Sequence, residues 1–407
     1  MPRNAAELPS VRLACPGERC AVETYDVVIV GGGVIGASVA WHLAVRGCTR
    51  VLVLDAAPGP GEGSTGAATG GFRCQFGSEP NVRLSLLARE KLLRFADEVG
   101  VDPGYRPCGY LFLVERQATL AALLDAQAMQ HALGVAEAWP VTVEEALEIN
   151  PAVAVEGLVG GVYSPTDGFI RPREILRGYS EAAARLGVRF EYGAAVRGLR
   201  VQDGRVVGVR TDAGEVGAGA VVNAAGPWAG KVAAMAGVDI PVYPLRRQVA
   251  LTEPFAGLPE CMPLTIFVEA EFHLRVRDGR VLLLWSDQPN TADPFDVAFD
   301  DGWLPQVTAR AHRWIPSLRQ ATVDRAACVA GLYEMSPDRH VLLGPAPGVE
   351  NLYLANGSSG HGVMHSPALG QLMAEMILDG SASSMDVHPL RPSRFAEGQP
   401  NAAPEFL

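Results

Sequence analysis

The stretch that most restricts the fold is Gly31-Gly32-Gly33-Val34-Ile35-Gly36, a GxGxxG placed between an apolar run at 26–30 and an amphipathic run at 34–45, with a second apolar run at 51–55. Strand, glycine turn, helix and strand over about thirty residues is the opening unit of a doubly wound parallel sheet. Each glycine has a physical task. The first permits the tight turn, the second lets a pyrophosphate approach the backbone, and the third allows helix and strand to pack closely. The helix N-terminus behind them presents unpaired N–H groups to an anion. Asp55 stands nineteen residues after Gly36, where a carboxylate accepts hydrogen bonds from ribose hydroxyls and repels a 2′-phosphate. The motif predicts a dinucleotide other than NADP and leaves NAD and FAD open.

The residues beyond it help to narrow that choice. Gly63-Ser64-Thr65-Gly66-Ala67-Ala68-Thr69-Gly70-Gly71-Phe72-Arg73 offers hydroxyls, exposed amides and an arginine soon after the ribose acid, a loop suited to an extended dinucleotide that reaches toward an isoalloxazine ring. A strongly periodic helix follows, with Leu84, Leu86, Leu87, Leu92, Leu93 and Phe95 on its apolar positions. Helices are also expected at 118–133, 143–149 and 172–186, and a small antiparallel meander at 196–224. A strand-rich block at 242–329 contains a hairpin turned at Asp278-Gly279. A strand at 351–355, a glycine loop and a helix at 366–378 close the pattern. This late return to strand, turn and helix predicts a discontinuous nucleotide domain of 24–105, 166–241 and 336–385, with 106–165 and 242–335 forming a substrate domain. Residues 1–23 are expected to be a flexible extension, and 386–407 a tail over the surface.

Composition limits the partners. Lys and Arg number 34 against 45 Asp and Glu, and the resulting net charge of −11 argues against nucleic acid or anionic lipid. No apolar run reaches the roughly 18 to 20 residues of a membrane span, and residues 1–23 lack the hydrophobic centre of a secretory signal. Seven cysteines, scattered at 15, 20, 48, 74, 108, 261 and 328, suggest reduced thiols and a cytoplasmic location. His361 and His365 stand four apart with no acidic partner in their segment, so no metal site is expected.

Six segments in order resemble the D-amino-acid oxidase superfamily of FAD enzymes, most of all its sarcosine oxidase beta-subunit and dye-linked proline dehydrogenase beta-subunit branch. They are YDVVIVGGGVIGASVAWHLA, GSTGAATGGFRCQF, Val221-Val222-Asn223-Ala224-Ala225-Gly226-Pro227-Trp228, Leu245-Arg246-Arg247-Gln248, Gly331-Leu332-Tyr333-Glu334-Met335-Ser336-Pro337-Asp338 and Gly357-Ser358-Ser359-Gly360-His361-Gly362, within residues 25–380. The resemblance implies an α/β fold: a Rossmann-type FAD-binding domain of the glutathione-reductase kind, interleaved with an antiparallel-sheet substrate domain. It implies that Gly31, Gly33, Val34, Ile35, Gly36, Asp55, Ser64 and Thr65 hold the adenosine and pyrophosphate, with Val196 at the adenine and Gly226 beside the phosphates. Gly70, Gly71, Ala225, Trp228 and Gly331 complete the cofactor-binding set. Gly360, His361, Gly362, Val363 and Met364 would offer backbone N–H groups to the pyrimidine end of the flavin, where a helix N-terminus stabilises negative charge.

Departures from the family pattern sharpen these expectations. The position of a covalent cysteine falls on Gly331, with Cys328 three residues too early, and Pro172 occupies the place of a flavin-holding histidine, so FAD is expected to be non-covalent. The lysine of oxygen activation aligns near Leu283, and a lysine that helps hold the substrate carboxylate aligns with Met364. Arg73 matches the family's carboxylate-binding arginine and Tyr333 a tyrosine near the flavin, while His273 and Arg275 lie on the hairpin over the cavity. These four are the catalytic candidates. The expected reaction is oxidation of a small primary or secondary amino acid (sarcosine, glycine or proline-like) with its carboxylate on Arg73. Hydride passes to flavin N5 and the imine hydrolyses. Electrons would go to oxygen or to another acceptor, including a partner subunit. A dehydrogenase subunit and a non-catalytic flavoprotein of assembly are the alternative readings.

Overall fold

Thr24–Val30, Val34–Val45 and Val51–Asp55 form the strand, helix and strand that the glycine motif predicts. The computed structural model describes residues 22–287 and 293–401. Its first sheet runs in the order Leu342–Pro345, Leu352–Asn356, Gly214–Asn223, Thr24–Val30, Val51–Asp55 and Arg189–Tyr192. All neighbours on this path are parallel except the first pair. Val28 stands opposite both Val221 and Leu52, and this central run is buried because Leu199, Val206 and Val209 of the meander and Ala229 and Val232 cover its face, while the large helices cover the other. Val196–Gln202 and Arg205–Thr211 extend it as the expected meander. Every residue of the helix Val34–Val45 except Val45 is buried, Ser38 and His42 included, so the helix is enclosed rather than amphipathic as its sequence suggests, because Pro172–Arg185 and Gly362–Asp379 pack against it.

The second sheet is ordered Val329–Met335, Tyr243–Leu251, Arg280–Trp285, Phe272–Arg277, Leu264–Phe267, Tyr110–Val114, Gly160–Ser164 and Trp139–Val141. It is antiparallel apart from the pairing of Leu264–Phe267 with Tyr110–Val114. Side chains alternate between its faces. Leu111, Leu113, Phe267, Leu274 and Leu283 pack on one side with the helix Leu304–Trp314. The opposite face turns Arg247, His273, Leu284 and Tyr333 toward the glycine motif.

Four expectations need correction. Leu304–Trp314 is a helix inside the block read as strands, with Val307, Ala311 and Trp314 buried at helical spacing. The closing helix starts at Gly362, four residues early, and keeps Pro367 in its interior. Proline has no N–H for the carbonyl four residues back, and the Ser366 hydroxyl donates to that Val363 carbonyl instead, at 2.8 Å. The tail is not a surface meander: His388–Leu390 and Pro392–Phe395 are short helical turns that bury Arg394 against Asp338, with N···O distances of 2.8 and 2.9 Å. Finally, Cys108 and Cys261 form a disulfide across 153 residues, so the thiols are not all reduced. They stand just before Tyr110 and Leu264, which are paired in register, and that tertiary pairing brings them together. Cys48, Cys74 and Cys328 are free, while Cys15, Cys20 and most of the expected N-terminal extension lie outside the described residues. Among the described residues no helix is long and apolar enough to cross a membrane.

Candidate active site

Two clefts meet at the N-terminus of the first helix. One is lined by Gly31, Gly33, Asp55, Val196, Ala225, Gly226 and Trp228. The other is lined by Val34, Ile35, Gly70, Gly71, Gly331, Gly360, Gly362, Val363 and Met364. Both include Gly33, Ser64, Thr65 and Ala224, so they form one path from the ribose acid to the second sheet. A continuous path that passes a helix N-terminus at Gly33 suits a dinucleotide whose pyrophosphate sits there.

The glycines fit this group for different reasons. Gly31 has φ +109°, and a Cβ there would lie 2.2 Å from the Ala224 carbonyl oxygen. Gly36 lines neither cleft; a Cβ on it would come 2.0 Å from the Gly31 carbonyl oxygen, so it serves helix–strand packing. A Cβ on Gly33 would meet only Thr65 Oγ1, at 3.4 Å, and would project into open space that a phosphate needs. Asp55 is held by N–H donors from Gly32 (2.7 Å) and Ala57 (2.8 Å), which fixes its carboxylate at the cleft edge. Thr65 Oγ1 accepts from the Val34 amide at 3.2 Å and Ser64 Oγ donates to the Leu332 carbonyl at 2.7 Å, tying the loop to the start of the first helix and to the second sheet. FAD therefore fits the residues present.

His361 stands apart from its expected role. Its amide donates to the Ser358 carbonyl at 2.9 Å, and its ring packs edge-on against Phe76 at 4.8 Å, so neither lines the cleft. Gly362, Val363 and Met364 begin the helix and do line it.

The structure brings His273 and Tyr333 to the flavin-side cleft. Tyr333 packs over Gly360, where a Cβ would lie 2.6 Å from its ring. Burial and the positive charges of Arg73 and Arg247 push His273 down to about 3, leaving a neutral imidazole. The two arginines among the catalytic candidates are turned elsewhere. Arg275 Nη1 donates to the carbonyls of Thr69 and Gly70, each at 2.9 Å, and its guanidinium lies 3.5 Å from the Phe169 ring centre. Arg73 is buried: Nη1 donates to the Gln75 carbonyl at 3.1 Å, Nη2 meets His361 Nε2 at 3.2 Å, and the guanidinium covers the Phe76 ring at 4.2 Å. Neither lines the cleft. Asp167, raised by burial to about 6, accepts from the Cys74 amide at 2.8 Å and from Gln75 Nε2 at 3.1 Å and so fixes the Arg73 segment.

Other residues that line the clefts carry no individual signal in the sequence. Arg247 and Glu334 lie within two of the segments that carry the family resemblance, which is their one signal in the sequence. Burial raises Glu334 to about 7, and its Oε2 finds no hydrogen-bond partner among the described residues. Lys231 lines the adenosine side, with Nζ 3.6 Å over Phe295, whose ring stacks on Trp228 at 5.8 Å. Its place three residues after Trp228 puts it on the same helical face, a spacing the sequence does show.

Known proteins resemble this chain in sequence and in fold. The chain is 30% identical to FAD-dependent oxidoreductase domain-containing protein 1 of Bos taurus over 93% of its own length and 86% of the relative. It is 29% identical to the glycine oxidase of Geobacillus kaustophilus (strain HTA426), covering 91% and 97%. The crystal structure of L-proline dehydrogenase from P. horikoshii superposes with a TM-score of 0.86 and 29% identity over 94% of this chain and all of that one. The family described as DAO, FAD dependent oxidoreductase, matches residues 26–376. With the dinucleotide path, the roofing sheet and this match in agreement, the chain belongs to the DAO family of FAD-dependent oxidoreductases.

Proposed function

We propose that this protein oxidises the carbon–nitrogen bond of a small primary or secondary amino acid, using non-covalently held FAD. The observation that carries the reading is the continuity of the dinucleotide path into a pocket roofed by His273 and Tyr333. FAD, when bound, supplies the hydride acceptor. The chain does the rest: Gly33 and the first turns of Val34–Val45 and Gly362–Asp379 would hold its charged groups, while Val249, Leu284 and Trp285 keep water from the reacting carbon. A neutral His273 adds no positive charge beside the substrate amine. Arg73 and Arg275 act as positioning residues, bracing the Gln75 segment and the Thr69-Gly70 loop. The glycine oxidase and L-proline dehydrogenase relatives support an amino-acid substrate.

Non-covalent attachment is supported by the cleft lining: Gly331 is there, and neither Cys328 nor Pro172 is. Among the described residues no lysine lines the flavin-side cleft, which favours an acceptor other than oxygen, a partner subunit included. A cytoplasmic location rested on the cysteine pattern, and the Cys108–Cys261 bond weighs against it.

The test is anaerobic mixing of the purified yellow protein with sarcosine, dimethylglycine, glycine, proline and larger N-alkyl amino acids. Bleaching of the flavin band by at least one of them, with FAD released on acid precipitation, is the expected result. A protein that binds no FAD, or whose flavin none of the panel bleaches, refutes the reading. Dye reduction exceeding peroxide yield on the same substrate supports the non-oxygen acceptor.

A further inference from the structure

Arg247 is a cation at the flavin-side cleft whose hydrogen bonding is incomplete. It lies opposite Gly331, which has no side chain to cover it, and on the same sheet face as His273 and Tyr333. Nη1 donates to the carbonyls of Asp287 at 2.7 Å and Arg246 at 3.4 Å. Nε and Nη2 have no acceptor among the described residues, and no carboxylate among them is within ion-pair distance; those of Asp287 and Glu271 attract it from farther off. Burial disfavours its charge. A partly buried guanidinium with an unused edge is completed by a planar anion, and a carboxylate matches that edge with two parallel hydrogen bonds.

Arg73 offers no such edge to the cleft, because it is buried behind the lining against Gln75, Phe76 and His361. The walls beside Arg247 are apolar: Val249 stands opposite both Leu284 and Val329, and all three line the cleft.

We propose that Arg247, rather than Arg73, anchors the substrate carboxylate, and that Val249, Leu284 and Val329 receive an apolar N-alkyl, cyclic or side-chain substituent of the same amino acid. This rests on the amino-acid reading above and adds a specificity-determining residue to it. The anchor acts by binding alone: the carboxylate keeps its charge, and no bond to it is made or broken.

The experiment uses FAD-loaded wild type, Arg247→Gln, Arg247→Lys and Arg73→Lys. Benzoate and acetate, which carry a carboxylate and no oxidisable amine, are titrated while the flavin absorption is followed. Anaerobic flavin reduction is then measured for pairs with and without a carboxylate: sarcosine and dimethylamine, proline and pyrrolidine. Arg247→Gln is expected to weaken benzoate by roughly 30-fold or more and to remove the preference for the acid of each pair, with Arg247→Lys in between. Proline and N-alkyl alanines are expected to outpace glycine in wild type. Undiminished benzoate binding in Arg247→Gln, or its loss in Arg73→Lys alone, overturns the proposal. If Arg247→Gln fails to hold FAD, Arg247→Lys decides by the same titration. Should no amine reduce wild-type flavin, the functional reading fails while the benzoate titration still judges Arg247.

Discussion

Glu334 carries the clearest pH signature of any single residue at the site. Burial raises its carboxyl to about 7, from an ordinary value near 4.5 in the unfolded chain. Between those two values the folded state binds more protons than the unfolded state, so stability falls as pH rises through this window. The full penalty, about 3 kcal/mol, is in force above pH 7. Glu334→Gln should therefore unfold later than wild type at pH 8 and match it below pH 4, in urea titrations across pH. His273 works in the opposite direction, since its depressed value removes stability as pH falls from 6.5 toward 3, and comparing wild type with the Glu334 variant cancels that contribution. Residue identity at these places was visible in the sequence. Which guanidinium faced the cleft was not, because Arg73, Arg247 and Arg275 differ only in the strands and rings packed on them.

At the scale of elements, the first βαβ unit was legible because each glycine answers a local steric demand, and the helix Val34–Val45 falls where the motif puts it. Two substitutions separate ligand from scaffold. Gly36→Ala forces a Cβ to 2.0 Å from the Gly31 carbonyl oxygen and should cost about 3 kcal/mol of stability, read from chemical denaturation of the FAD-free protein. Gly33→Ala meets only Thr65 Oγ1 at 3.4 Å, so FAD-free stability should move by less than about 1 kcal/mol. Its added methyl occupies the phosphate space, and FAD affinity should drop at least about tenfold by fluorescence titration. Equal stability losses in both variants would reject the division of roles. Leu304–Trp314 was not legible because its short apolar stripe, Val307, Ala311 and Trp314, is set among strands, and the start of Gly362–Asp379 was not because Pro367 suits a first helical turn until the Ser366 hydroxyl is seen to bond the Val363 carbonyl.

In the molecule as a whole, two connections between separate segments fix the chain: one clasps the C-terminal tail, and the other joins two strands of the second sheet at their entrances. Arg394 and Asp338 are a buried ion pair, the arginine fully buried and the aspartate side chain 2% exposed. Although burial opposes ionisation, the Arg394 guanidinium and the amides of Asn401 and His340 bring Asp338 down to about 2. Arg394→Met leaves that carboxylate without its cation and should lower stability by roughly 3 to 5 kcal/mol. The loss should shrink at low pH as Asp338 is protonated, which thermal scans at pH 7 and pH 2 would detect; a pH-independent loss would refute it. Cys261→Ser opens a loop of 153 residues and should reduce stability by about 2 to 5 kcal/mol. Dithiothreitol should lower the unfolding midpoint of wild type toward that of the variant and leave the variant unchanged. The sequence by itself determined the dinucleotide turn, the ribose acid, the alternation of the hairpin strands and the family, because all of these are written in spacings of a few residues. Tertiary structure alone decided the disulfide, the buried tail and which arginine lines the cleft. Those depend on residues tens to hundreds of positions apart meeting at one place, and a side chain's partners there follow from sheet register and packing that no local spacing encodes.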